Sequence, residues 1–202
     1  GSVFQTTSKG YISGEGSANA GKVRFGISGG SLSGFGWRVP DGMVINYMSA
    51  HDNHSLWDKL ALSNSADTPE IRAEMNRLGA AVLMISRGTP FFQAGEEMLR
   101  SKDGDENSYK SSDAINNIRW DTLTPDSEAY RTMEYYRGLI AMRRAYGAFR
   151  YGEVSFTDLG NGRMEIRFGH SALAVINPTG DSFPYSLEEE WNLVADEDTA
   201  GA

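Results

Sequence analysis

Two stretches of the chain carry a helical pattern of apolar residues, and a short apolar run precedes each. The first helix is predicted to begin after Thr68 as N-cap, with Pro69 at its first position and Glu70 complementing the positive helix end. Gly88 is a plausible C-cap, and Pro90 prevents continuation. The apolar face is predicted from positions that step by four, three, four and three: Ile71, Met75, Leu78, Val82 and Ile85.

The short apolar runs predict strands on either side of this helix. Residues 43–48 are predicted to form a buried strand, and residues 90–95 a second one. A polar loop then runs to about Pro125, and a second helix is predicted over residues 126–144. The apolar face of that helix is predicted from three positions: Met133, Tyr136 and Ile140. The order strand, helix, strand, loop, helix predicts an α/β fold with parallel strands.

The two ends of the chain follow neither pattern. Residues 1–40 are rich in Gly and Ser and are predicted to be long loops with at most short helical turns. From about Arg150 the pattern predicts a small antiparallel β domain, because Asn161-Gly162 is a strong hairpin signal. The apolar residues of this domain alternate with polar ones: Met164, Ile166 and Phe168, then Leu173 and Val175.

Composition excludes several classes of function. The 202 residues carry a net charge of −8 with acids and bases interspersed, which argues against a nucleic-acid partner. No run of eighteen apolar residues predicts a membrane span, and the first residues show no signal-peptide pattern. Because cysteine is absent and only His51, His54 and His170 are histidines, neither thiol catalysis nor a multi-histidine metal site is expected. The absence of cysteine leaves the compartment open.

The strongest chemical signal is a polar cluster directly after the first predicted strand. His51, Asp52 and Asn53 lie where active sites of parallel α/β folds and barrels are found, at the carboxyl end of a strand. The simpler alternative is that Asp52, Asn53 or Ser55 caps the next helix. Capping accounts for one of these side chains, and not for the whole group.

Residues 44–60 also resemble a known motif. They are similar to the fourth conserved region of the α-amylase superfamily in its pullulanase variant, Asn-Tyr-x-Ser-x-His-Asp-Asn-x-x-Leu-Trp-Asp-Lys-Leu, and match it at every fixed place. Residues 93–116 resemble the strand-eight region of bacterial type I pullulanases, and residues 136–144 their last barrel helix. The chain thus resembles the type I pullulanases, which are starch-debranching glycoside hydrolases.

The resemblance implies a fold and a division into domains. Residues 1–148 would form the last part of a TIM (β/α)8 barrel, with strands seven and eight and their helices. Residues 149–202 would form a partial antiparallel β-sandwich. The resemblance further implies an α-glucan as partner, no cofactor, and a secreted or cell-surface location rather than a cytoplasmic one. A calcium ion elsewhere in a complete enzyme is left open.

The resemblance also assigns roles to single residues. Retaining glycosidases use a nucleophilic carboxylate and an acid/base carboxyl around an oxocarbenium-like transition state. Asp52 would be a third carboxylate, which stabilises that transition state, and His51 would donate to the same sugar. The other substrate-binding residues would be Asn53, Asp113, Asn107, Tyr109 and Trp57. Trp57 could equally be a core residue at the start of its helix.

Three features qualify these assignments. Asn117 stands four residues after Asp113, where many relatives have Arg, and this departure weakens the role of Asp113. One of the adjacent acids Glu96 and Glu97 is predicted to be a buried structural partner, since neighbouring strand residues point to opposite faces. The spacing of Asp103, Asp105 and Asn107 resembles a calcium loop. Its sixth and twelfth places lack Gly and Glu, which favours a polar substrate-facing loop.

The family's other two carboxylates are not in this sequence. Neither the Gly-Phe-Arg-x-Asp segment of the nucleophile nor the Gly-Glu-x-Trp segment of the acid occurs, and Gly14-Glu15-Gly16 is interpreted as a loop. We therefore expect the chain to be an inactive piece of a hydrolase that cleaves α-1,6-glucosidic branches, and to need the rest of that enzyme or to self-associate. The alternative is a non-catalytic α-glucan-binding or structural piece. A metallophosphoesterase, suggested by the His-Asp-Asn-His string, would need more ligands than three histidines allow.

Overall fold

The computed structural model describes residue 2, residues 4–32, residue 40 and residues 42–201. The helices are α1 (Gly16–Ile27), α2 (Leu56–Ser63), α3 (Pro69–Ile85), α4 (Asp113–Asn116) and α5 (Glu128–Ala145). The strands are β1 (Ile45–Asn46), β2 (Thr89–Pro90), β3 (Ser155–Gly160), β4 (Arg163–Phe168) and β5 (Ala172–Ile176). Single 3-10 turns lie at Tyr11–Ser13, Glu96–Met98, Ser108–Lys110, Trp120–Thr122 and Gly147–Phe149.

The prediction of loops over residues 1–40 is wrong for residues 16–27, which form α1; residues 33–39 lie outside the described part. The helix has no side-chain cap, and Glu15 of the presumed Gly14-Glu15-Gly16 loop is its N-cap residue. Its stability comes from packing, because Ala20 and Ile27 are buried in the main core. Tertiary contacts thus override the low helix propensity of the glycines in this segment.

The two short strands are parallel and adjacent, as predicted. Ile45 pairs with Thr89 and Asn46 with Pro90, and the amide of Phe91 donates to the carbonyl of Asn46 at 2.8 Å. Both strands are shorter than predicted, and the prediction that they are buried is wrong. Ile45 is 63 % exposed and Tyr47 59 % exposed. One face of β1 packs toward the helices, and the other face has no cover among the described residues.

Helix α3 begins as predicted and ends slightly differently. The side chain of Thr68 accepts a hydrogen bond from the amide of Ile71 at 3.4 Å. The C-cap residue is Ser86, and not Gly88. Gly88 has a φ of +87°, and a Cβ there would lie 2.3 Å from the carbonyl oxygen of Val44. The glycine therefore allows β1 to approach the chain that leads into β2.

The buried face of α3 differs from the predicted one. The fully buried positions include Ala73, Asn76, Ala80 and Leu83, whereas Ile71 is exposed. Of the predicted apolar face, Ile85 is buried in the main core and Leu78 and Val82 pack against that core. Ile71 and Met75 instead line a groove of about 1490 Å³ between α3, α5 and the tail after β5. Polar residues of α3 contact α5: Asn76 accepts from the hydroxyl of Tyr136, and Arg77 donates to Glu128, each at 3.0 Å. A search for large apolar side chains does not find such contacts.

Helix α5 starts two residues later than predicted. Ser127 is its N-cap and accepts a hydrogen bond from the amide of Tyr130 at 3.1 Å. Of the predicted face only Tyr136 is fully buried, while Met133 and Ile140 are half-buried. The guanidinium of Arg143 donates to the carbonyls of Met84, Ser86 and Gly88 at 2.6 to 2.8 Å. Arg143 therefore satisfies carbonyl groups at the end of α3 that the helix itself leaves unpaired.

The tail forms the predicted antiparallel sheet, in the order β3-β4-β5. Asn161 and Gly162 have φ values of +53° and +79°, which is the type I′ hairpin that an Asn-Gly pair favours. The alternation in β4 is confirmed, because Met164, Ile166 and Phe168 are all buried. In β5 the residues Leu173 and Val175 are only half-buried. The core of this strand is instead formed by Ile176, and Ala172 and Ala174 pack against the same buried cluster. The described residues contain this single antiparallel sheet, so the sandwich stays a prediction.

One core joins the helices and the sheet. Tyr136, Leu139, Met164 and Ile166 belong to the same buried cluster. The hydroxyl of Tyr11 donates to the carbonyl of Gly162 at 2.8 Å and ties the start of the chain to the hairpin. The division at residues 148 and 149 remains a prediction. Among the described helices, none is both long and apolar enough to cross a membrane.

The uncovered face of the strands leads to a prediction about association. Tyr47 and Phe91 meet edge to face with ring centroids 6.0 Å apart, beside the exposed Ile45. Exposed apolar faces and open strand edges recruit other chains.

We expect the chain to self-associate in sedimentation velocity experiments, and Ile45→Lys with Phe91→Lys to shift it toward monomer. Leu62→Lys, at an exposed residue of α2, should leave association unchanged. A wild-type chain that stays monomeric over a hundredfold range of concentration would contradict this expectation.

Candidate functional site

The parallel pairing brings two long loops to one edge of the small sheet. One loop follows β1 and contains His51, Asp52 and Asn53, and the other follows β2 and runs to the start of α5. Parallel strands end on the same side, so both loops leave the strands in the same direction. This edge is the place where ligand sites of α/β folds are found.

His51 and Asp52 lie exposed at this edge. Their side chains are 85 % and 81 % exposed, and Nε2 of His51 lies 3.4 Å from Oδ1 of Asp52. Asn53 has a φ of +64°, a left-handed conformation that Asn adopts more readily than most residues. The cap of α2 is Ser55, whose hydroxyl accepts from the amide of Asp58 at 3.2 Å. His51, Asp52 and Asn53 are therefore not needed as helix caps.

Trp57 is half-buried in the first turn of α2. The guanidinium carbon of Arg72 lies 5.7 Å from the centre of its ring. Such a cation–π contact occupies part of the indole surface, which agrees with a structural role for Trp57. Stacking of Trp57 on a sugar stays a prediction.

The loop after β2 carries the other predicted substrate-binding residues. Asn107 is exposed at the start of the 3-10 turn Ser108–Lys110, and its backbone amide donates to Oδ1 of Asp105 at 2.9 Å. Tyr109 is 74 % exposed, with the ammonium of Lys110 5.1 Å from its ring centre. Asp113 is exposed at the first position of α4, and Asn117 is the C-cap residue of that helix. These side chains follow β2, as Asp52 follows β1.

Sequence reasoning missed two residues that join the loops. Asp58 and Lys102 are buried, with exposures of 6 % and 4 %. A carboxylate oxygen of Asp58 accepts from the backbone amide of Lys102 at 2.8 Å, and the ammonium of Lys102 donates to the carbonyl of His51 at 3.1 Å. No periodic pattern marks either residue, because the contacts exist only once the two loops are adjacent.

Glu96 is buried beneath the site, which confirms the prediction that one member of the acid pair is a structural partner. Its carboxyl group accepts from the hydroxyl of Ser49, two residues before His51. The hydroxyl of Tyr136 lies 3.2 Å from Oε1 of Glu96 and 3.0 Å from Oδ1 of Asn76. The neighbouring Glu97 instead accepts from the amide of Gly95 at 2.8 Å.

Burial of Glu96 favours its protonated form, and the hydrogen bonds around it can accommodate the proton. The hydroxyl of Tyr136 has one proton and faces two acceptor oxygens, those of Asn76 and Glu96. When Oε1 of Glu96 carries a proton, Glu96 donates to Tyr136 and Tyr136 donates to Asn76, so both hydrogen bonds are made. Burial raises the pKa of Glu96 from 4.5 to about 7, and the charge of Glu97 adds to this effect. The hydrogen bonds from Ser49 and Tyr136 act in the opposite direction.

The acidic residues with calcium-like spacing are engaged by other groups. A carboxylate oxygen of Asp103 lies 2.7 Å from the guanidinium of Arg119. Asp105 accepts from the hydroxyl of Ser111, which lowers its pKa. Within the described residues, no group of three or more acidic or histidine side chains is arranged to hold a metal ion.

The remaining two histidines lie apart from the exposed pair. His54 is half-buried and its Nδ1 lies 3.8 Å from a carboxylate oxygen of Glu106, a local interaction within the two loops. His170 is exposed in the turn between β4 and β5.

Comparison with known proteins relates the chain to pullulanases. No family model matches the chain. It is 37 % identical over 156 residues to the pullulanase of Bacillus subtilis strain 168, a match that covers 74 % of this chain and 21 % of the relative. The chain thus spans about a fifth of the length of this curated relative.

Solved structures agree with this relationship. A pullulanase from Paenibacillus barengoltzii, in complex with maltohexaose and α-cyclodextrin, is 34 % identical with a TM-score of 0.75, over 82 % of this chain and 27 % of that one. The type I pullulanase of Bacillus subtilis strain 168, in complex with maltose, is 31 % identical with a TM-score of 0.74, over 82 % and 24 %. These relatives and solved structures are pullulanases, so the chain is similar to a part of a pullulanase. Within that class, it is similar to a segment of the type I pullulanases.

The burial of Glu96 generates a prediction about pH. Because the folded state favours protonated Glu96, its contribution to stability is fully present below about pH 4.5 and is lost as pH rises through about 7. At about 1.4 kcal/mol per pH unit, this loss is on the order of 3 kcal/mol. In urea unfolding experiments, the free energy of unfolding of Glu96→Gln should therefore not show this decrease between pH 4.5 and 8.

The matched control for this measurement is Glu97→Gln, which changes the adjacent carboxylate. It should retain the decrease in the free energy of unfolding that the wild-type chain shows. If Glu96→Gln and the wild-type chain lose the same free energy over this pH range, Glu96 is not the group responsible.

Proposed function

We propose that this chain supplies the strand-seven and strand-eight side of the active site in a pullulanase-like glycoside hydrolase. The observation that carries the proposal is the exposed pair His51 and Asp52 at the carboxyl end of β1, in a chain similar to pullulanases solved with maltohexaose or maltose. The substrates are α-1,6-branched glucans such as pullulan, starch or glycogen. Residues 1–148 belong to the barrel and residues 149–202 to a following β domain.

In this proposal Asp52 is the carboxylate that stabilises the transition state of a retaining reaction. Its charge faces the sugar ring on which positive charge develops, while the nucleophile and the acid/base group come from elsewhere in the enzyme. His51 donates to the same sugar through its exposed imidazole. The carboxylate of Asp52 is exposed, so its oxygens are free to accept hydrogen bonds from sugar hydroxyls, which supports that role.

The loop after β2 provides the outer sugar contacts in the same proposal. Asn107, Tyr109 and Asp113 are all exposed and follow the strand adjacent to β1. Tyr109 offers an open ring face, and the amide of Asn107 and the carboxylate of Asp113 offer hydrogen bonds to hydroxyl groups. Asn53 and Trp57 contribute from the β1 side.

A chimeric enzyme tests the role of Asp52. Residues 43–148 would replace the matching segment of the Bacillus subtilis pullulanase, and release of reducing sugar from pullulan would be measured. Asp52→Asn keeps the shape of the side chain and removes its charge, so kcat should fall on the order of a hundred- to a thousandfold. Asp126→Asn, at an exposed aspartate before α5, should leave kcat unchanged. Equal rates for the two variants would refute the assignment of Asp52.

The chain alone is proposed to bind glucan without cleaving it. Neither carboxylate segment of the family occurs in the 202 residues, and one carboxylate cannot act on both sides of a scissile bond. The purified chain should release no reducing sugar from pullulan above a buffer blank. Turnover by the chain that Asp52→Asn abolishes would show that the boundaries of the site are misjudged.

A further inference from the structure

Lys102 places a buried positive charge between the two loops of the site. Its exposure is 4 %, although lysine is among the residues least often buried. The ammonium group donates to the backbone carbonyl of His51 at 3.1 Å and to the hydroxyl of Ser108 at 2.8 Å. One side chain thus contacts the loop after β1 and the loop after β2 at the same time.

The backbone of Lys102 is itself fixed by α2. The buried carboxylate of Asp58 accepts from the amide of Lys102 at 2.8 Å and from the hydroxyl of Ser101. The hydroxyl of Ser101 accepts in turn from the amide of Asp103 at 2.8 Å. Since both ends of the lysine are held, the ammonium has little freedom to seek other partners.

Both partners of the ammonium are directly next to residues of the proposed site. The first is the carbonyl of His51, which precedes Asp52, and the second is Ser108, which lies between Asn107 and Tyr109. Ser108 also accepts, through its carbonyl, from the side chain of Asn116 at 2.7 Å. A movement of the ammonium would therefore displace both halves of the site together.

The charges around Lys102 belong to the same two loops and to α2. Burial lowers the pKa of Lys102, and Arg100 acts in the same direction. The carboxylates of Asp105, Asp58 and Asp52 favour the ammonium form and partly offset that effect. Asp52 therefore interacts with Lys102 through its charge, and the carbonyl of the preceding residue, His51, accepts from the same ammonium.

We propose that Lys102 is a positioning residue of the glucan site, whose ammonium sets the distance between the His51–Asp52 turn and the turn that carries Asn107 and Tyr109. Lys102 does not touch the sugar and acts through its hydrogen bonds to His51 and Ser108. The consequence for binding rests on the function proposed above, whereas the link between the loops does not.

NMR of the ¹³C-labelled chain tests the link directly. The backbone carbonyl ¹³C shift of His51 and the Cβ ¹³C shift of Ser108 should titrate together at alkaline pH as the ammonium loses its proton, below the usual range of lysine. In Lys102→Met this shared titration should vanish, while Lys22→Met, at an exposed lysine of α1, should retain it. Titrations of the two shifts that differ in midpoint, or that persist in Lys102→Met, would overturn the proposal.

Binding of maltotetraose separates this inference from the proposed function. Lys102→Met should weaken binding about tenfold or more, as loss of a charged hydrogen bond typically does, with the thermal midpoint compared for both variants. Ser108→Ala, which removes one of the two partners, should weaken binding less. If the wild-type chain and Lys102→Met bind equally, the positioning role is refuted even where the shared titration is seen.

A wild-type chain that binds no maltotetraose would refute the glucan site and not the link. The NMR titration would then decide whether Lys102 joins the two loops. A loss of the shared titration with an unchanged thermal midpoint supports the inference, because a merely structural lysine would alter stability without coupling the His51 carbonyl to the Ser108 hydroxyl.

Discussion

The arrangement of this chain depends on the parallel pairing of two very short strands. The amides of Thr89 and Phe91 donate to the carbonyls of Val44 and Asn46, each at 2.8 Å. So few backbone hydrogen bonds would not hold two strands by themselves. The pairing is supported by side chains: Asn46 donates to the carbonyl of Arg87 at 2.8 Å, and Arg143 satisfies the carbonyls between α3 and β2. The direction of both site loops follows from this pairing.

The candidate site combines exposed residues with buried polar residues that fix the position of its loops. His51 and Asp52 lie open to a ligand, while Asp58, Glu96 and Lys102 are buried beneath or between the loops. Buried polar groups are stable only when their hydrogen bonds are made, so these contacts restrict where the loops can lie. The exposed residues need not be rigid by themselves, because the polar groups below them determine their position. A site of this kind presents carboxylate and imidazole groups to a hydroxyl-rich ligand with little rearrangement.

The sequence revealed the features that depend on local chemistry. Thr68 caps α3 and Asn161-Gly162 forms a type I′ turn because those residues favour such conformations by themselves. Helix α1 was missed, since its stability comes from the burial of Ala20 and Ile27 against distant residues. Asp52 was singled out by the resemblance of its motif, and its role stays a proposal. Lys102 was not found, because its partners His51 and Ser108 are 51 and 6 residues away along the chain and meet it only in the folded structure.

The loops after β1 and β2 are proposed to form one glucan-binding edge. This proposal is tested by a map of backbone amide shift changes when maltotriose is added to the ¹⁵N-labelled chain. Changes are expected at residues 51–53 together with residues 107–113, and none in the groove beside Ile71 and Met75. Changes confined to that groove, or to only one of the two loops, would contradict it.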